Sequence, residues 1–146
     1  MNKRLKLALS LRFLLIEATV CLFVSRLIVL LPISYWSRYL GELQAETPVT
    51  DSMIDTGQVK RIKRALSVVS RHVPWRSDCL PQALAARMML GRRKIPTTFY
   101  LGVASVRQEN GNMLEAHAWL RCGTIMVTGD EARPRFNIIS TFAKRT

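Results

Sequence analysis

Histidine is scarce in this chain: His72 and His117 are the only two. Cysteine is nearly as sparse, with Cys21, Cys79 and Cys122 far apart, odd in number and without a C-x-x-C pair. Those shortages argue against a structural zinc site and against a disulfide framework. Free thiols suit a reducing cytosol. Acids are also few, ten Asp/Glu against 22 Lys/Arg, for a net charge of +12 over 146 residues. The hydrophobic share of 49% argues against disorder and fits a single domain with a helical appendage.

The charge is unevenly spread. Between Gln58 and Lys94 there are ten Lys/Arg and one acid, Asp78, whereas Glu42, Glu46, Asp51 and Asp55 make the preceding stretch acidic. A field of this sign draws nucleic acid, anionic lipid or an acidic peptide, and does not by itself choose among them. No helix-turn-helix, RNA-recognition or zinc signature accompanies it, so nucleic acid is not an expected partner.

Residues 1–40 form an apolar helical segment. Glu17 and Arg26 interrupt its apolar run, and each would cost about 2.5–3.5 kcal/mol at a bilayer centre. Neither a span nor a cleavable secretory signal fits well. Arg12, Thr19 and Arg26 recur every seven residues as one polar stripe on an otherwise apolar helix ending before Pro32. Such a helix is expected to pack on the domain or on a partner protein, with peripheral membrane contact as the alternative. A short helical piece follows near Tyr35 to Leu40.

Residues 41–57, polar and bounded by Gly41 and Gly57, read as a linker. Residues 58–146 carry the remaining elements. Val59, Ile62, Leu66 and Val69 mark a helix that ends before Pro74. Its basic face is either solvated or a docking surface for an acidic peptide. A second helix starts at Asp78 or Cys79, with Ser77 or Asp78 as cap, Leu80, Leu84 and Met88 as buried ridge, and Gly91 as stop. "TTFYLGVAS" (97–105), a turn at Asn110-Gly111, "MLEAHAWLRC" (113–122) and "TIMVTG" (124–129) read as an antiparallel meander. Helices followed by such a meander define an α+β class.

Within the second strand, Leu114, Ala116, Ala118, Leu120 and Cys122 alternate as a core face, while Glu115, His117, Trp119 and Arg121 point the other way. Cys79 stands at a helix start, where dipole and amides favour thiolate and can lower its pKa from about 8.5 to roughly 3.5–7.5 when an imidazole helps. A thiol, an imidazole that shuttles its proton and an acid that holds the imidazole are the parts of a nucleophilic site. Cys79, His117 and Asp130 supply them in that chain order, with Glu115 and Glu131 as nearby alternatives for the acid. The Cys79 N–H is a candidate oxyanion donor, joined by Trp75 or Gln82. The plainer reading is a small core cysteine and a structural histidine.

"PWRSDCLPQALAARMMLGRRKIP", "FYLGV", "EAHAWL" and "VTGD" resemble the transglutaminase-like domain of lasso-peptide maturation proteases, over roughly Val59 to Phe142. The resemblance implies a transglutaminase-like, papain-like α+β fold with N-terminal helices packed on a small antiparallel sheet. It implies a Cys79-His117-Asp130 triad that removes the leader from a ribosomally made precursor peptide. It further implies no cofactor or metal bound by the protease domain itself, and says nothing of ATP dependence. The implied partners are the precursor, a separate leader-recognition protein and an ATP-dependent macrocyclase that closes the ring on the freed amine. A transglutaminase-like acyl transferase and a non-catalytic basic binding module are the competing readings.

Overall fold

A computed structural model describes residues 2–52, 54–75, 77–129 and 136–145. Helix α1 spans Lys3–Ile28, and the Asn2 side chain accepts the Arg4 N–H at its start. Pro32 precedes the short helix α2 (Ile33–Trp36), which runs into a single 3-10 turn, Ser37–Leu40. Strand β1 is Glu42–Leu43. Helix α3 (Thr56–Ser70) is capped by the Asp55 carboxylate, which accepts the Gln58 N–H at 3.1 Å. Helix α4 is Cys79–Arg92, followed by β2 (Thr97–Gln108), β3 (Gly111–Cys122), β4 (Ile125–Thr128) and β5 (Asn137–Lys144).

Among the described residues the strands form one antiparallel sheet in the order β1-β5-β2-β3-β4. The expected α+β class, with helices laid on an antiparallel sheet, is the observed one. The main core joins Ala18 and Leu22 of α1, Ile62 and Leu66 of α3, most of α4, and Phe99, Ala118, Leu120 and Cys122 of the sheet.

Several local expectations are corrected. Helix α4 has no single ridge: Pro81, Leu84, Ala86 and Leu90 are all buried, because α1, α3 and the sheet enclose it. Leu80 and Met88 are only half-buried. Gly91 lies inside α4 rather than after it. A Cβ there would run into the Arg87 guanidinium, which is buried and donates to the Tyr39 and Leu40 carbonyls at 3.3 and 3.5 Å. The β2–β3 turn is Glu109-Asn110, since Gln108 already pairs with Gly111, which takes φ +115° as the first residue of β3.

The segment read as a linker lies along the sheet. Leu43 pairs with Phe142, the Thr47 N–H donates to Thr98 Oγ1 at 2.9 Å, and Asp51 accepts the Thr124 N–H at 2.8 Å. The outward face of β3 is not solvated at its C-terminal end either. Trp119 is buried with Tyr100, Met126 and Phe136 in a second, smaller core. Arg121 is buried too, donating to Tyr100 Oη (2.9 Å) and to the Thr47 (2.8 Å) and Gly123 (2.7 Å) carbonyls. Leu114 and Ala116, expected in the core, are exposed, because the first half of β3 extends beyond the helices.

Candidate active site

Asp78 adopts the extended backbone of an N-cap, so Cys79 is the first residue of α4. Its carboxylate makes no capping hydrogen bond to the helix. The half-buried thiol of Cys79 faces β3. Burial pushes it above the ordinary thiol value, against the opposing pull of the backbone N–H groups of Ala118, Leu80 and Cys79 itself; the Asp78 charge adds to the rise. The helix start therefore supplies the expected amides, yet desolvation outweighs them. Burial thus opposes the lowering that the helix start alone would give.

His117 follows β3 to the same place. Its ring stacks on Phe136 at 4.9 Å and on Trp119 at 5.9 Å, and Trp119 stacks in turn on Tyr100 at 5.5 Å. Two glycines make this stack possible. A Cβ at Gly102, which pairs with His117 across the ladder, would meet the Trp119 ring at 2.7 Å. Gly129, at φ +74°, comes so close that a Cβ would lie 2.7 Å from Trp119 Cβ and 3.0 Å from His117 Nε2. The Nε2 atom is buried and has no hydrogen-bond partner among the described residues.

Thiol and imidazole come from opposite sides of the sheet edge and line one cavity of about 440 Å³ along β4 and its end. Gln82, Thr128 and Gly129 line it as well, and Lys63 of α3 and Arg71 at the C-cap of that helix give it a basic wall. Lys63 donates to the Met126 carbonyl at 2.7 Å, and Arg71 donates through Nε to the Ser67 carbonyl at 3.0 Å. In the cavity wall Thr128 Oγ1 is a second buried polar atom without a hydrogen-bond partner among the described residues. Part of the basic face of α3 thus looks onto the thiol.

Of the oxyanion candidates, the Cys79 N–H is at the thiol, and Gln82 lines the cavity with its amide donating to the Ser77 carbonyl at 2.7 Å. Trp75 is elsewhere, packed edge-on against Phe23 of α1 at 5.5 Å. Asp130 and its alternative Glu131 lie outside the described residues. Glu115 is exposed on β3, opposite Ala104. His72 is exposed, with Nδ1 2.7 Å from the Val68 carbonyl, and does not line the cavity. Cys21 and Cys122 are buried, and desolvation raises the Cys122 thiol to about 11. No group of three metal-ligating side chains occurs among the described residues.

Phe136, Thr128 and the paired roles of Gly102 and Gly129 escaped the sequence. The glycine of "VTGD" was a usable signal, since a glycine beside a strand end marks close backbone approach.

With this geometry in hand, comparison with known proteins identifies the class. The Transglutaminase-like superfamily profile matches residues 21–141, and the chain belongs to that superfamily. Its domains are commonly cysteine peptidases or acyltransferases. No curated protein and no solved structure is a significant match to the chain. The matched span begins inside α1 and takes in the segment 41–57.

Proposed function

We propose that this protein is a leader peptidase of lasso-peptide maturation, working in the reducing cytosol with a separate leader-recognition protein and an ATP-dependent macrocyclase. The observation that carries a thiol mechanism is the common cavity of Cys79 and His117 within a transglutaminase-like domain. The lasso assignment rests on the resemblance of the "SDCLPQAL" and "EAHAWL" motifs.

In this reading the Cys79 sulfur attacks the carbonyl carbon of the leader–core amide. Because burial disfavours the resting thiolate, the His117 imidazole takes the thiol proton during attack, acting as general base. The Cys79 N–H receives the developing oxyanion. His117 then returns the proton to the departing core amine as the C–N bond breaks, leaving a leader thioester on Cys79. Water, deprotonated by His117, attacks the thioester; the C–S bond breaks, the sulfur regains the proton, and a leader carboxylate is released. Asp130 is assigned to hold the imidazole.

The test is cleavage of the precursor by the full chain with its recognition partner, followed by mass. Cys79→Ala is expected to abolish cleavage; an undiminished rate overturns the proposal. A free carboxylate on the leader signals hydrolysis. A new amide signals acyl transfer and moves the protein to the other common activity of its superfamily.

A further inference from the structure

Helix α1 has the length and mean hydropathy, 2.1 over its most apolar window, to cross a membrane. Its packing opposes that use. Ala18, Cys21, Leu22 and Ser25 turn one face into the core. Glu17 beside that face is bound by Arg93 at 2.6 Å and by Arg92 at 2.9 Å. Crossing a bilayer would strip the core of this face and break the ion pair.

The other side of the helix is equally apolar and uncovered. At 3.6 residues per turn, Phe13, Ile16, Val20 and Leu27 lie opposite the buried face, and they are 69%, 59%, 54% and 49% exposed. The apolar surface continues past the helix through Leu30, Leu31 and Ile33. Exposed apolar surface this extensive marks a contact site.

Charge selects the occupant. Lys3, Arg4, Lys6 and Arg12 precede Glu17 with no acid among them, and Glu17 is already matched by two arginines. Beside Phe13 lies a depression of about 260 Å³ between α1 and α3, where Arg61, Gln58 and Ser10 offer donors next to the paired Glu17 and Arg93. A convex apolar stripe bordered by cations, with a donor-lined hollow alongside, matches acyl chains below and phosphate headgroups at their level.

We propose that this face seats the protein on an anionic phospholipid bilayer, with α1 lying in the plane of the interface and Arg61 at a headgroup. A peripheral protein so placed leaves the Cys79 cavity out of the lipid contact, since no α1 residue lines it.

The test is flotation of the full chain with phosphatidylcholine vesicles, with and without phosphatidylglycerol. Binding is expected with the anionic lipid, and at least tenfold weaker binding with the neutral vesicles. Arg12→Glu with Arg61→Glu should lower anionic binding roughly tenfold or more, each lost cation counting near the surface. Val20→Glu, at an exposed position, should weaken it further, with circular dichroism showing the helix content unchanged. Alkaline carbonate should release the bound protein. Equal binding to neutral vesicles, no vesicle binding, binding unchanged in the charge variants, or retention through the alkaline wash as a true span would each overturn the proposal. Cys79→Ala should bind vesicles like the parent, which separates this inference from the fate of the peptidase reading.

Discussion

The backbone amide of Ala118 faces the sulfur of Cys79, so the thiol meets β3 one residue after His117. Helix start and strand are thereby registered at the reactive atoms. That amide pulls the thiol pKa down, but burial outweighs it and the pKa is raised. Iodoacetamide labelling of the native protein should thus increase with pH, with a midpoint above that of an unperturbed thiol. Cys79 should react before buried Cys21 and Cys122. A midpoint near pH 6 would contradict the burial argument.

Gly129 holds its position against Trp119 and His117 at φ +74°. Gly129→Ala combines strain with a clash on the imidazole. It should cost about 1–3 kcal/mol of stability and reduce precursor cleavage far more than stability alone explains. Chemical denaturation beside a cleavage assay separates the two effects.

The buried Arg121 ties β3 to the 41–57 segment through the Thr47 carbonyl and to β2 through Tyr100. Arg121→Met removes those donors and leaves buried carbonyls unpaired, at about 1–3 kcal/mol for each. Arg121→Lys should recover little, because an ammonium cannot reproduce the fork. Urea midpoints measure both.

These three residues also mark how far the sequence could be read. The apolar spacing of α1 and α3, the start of α4 at Cys79 and the β2–β3 hairpin were legible, because each depends on local period and turn chemistry. Arg121 was not: alternation assigned it to an outer face, which the 41–57 segment covers through the Thr47 and Pro48 carbonyls. Strand β5 also escaped, since its exposed Ile138 and Ile139 are adjacent and break the alternation. His117 and Cys79 were legible as residue types, whereas their common cavity depends on where β4 stops.

Glu17 links α1 to the end of α4. Its carboxyl is held below the usual range, chiefly by the Arg93 hydrogen bond, against the opposing effect of burial. A lowered folded pKa means stability that is present above the unfolded value and lost as pH falls through the folded one. Glu17→Gln should cost about 1–2 kcal/mol at neutral pH, and the gap from the parent should shrink in acid. A pH series of thermal unfolding checks this; an unchanged gap at low pH would refute it.

The central claim is that the sulfur of Cys79 forms a bond to the leader. Acid-quenching a reaction of the full chain, its recognition partner and precursor, then measuring intact mass, tests it most directly. The account predicts an adduct of the leader acyl group on the peptide containing Cys79, absent from Cys79→Ala and strongly reduced in His117→Ala. Cleaved precursor from Cys79→Ala at the parent rate, with no adduct on the parent protein, would contradict it.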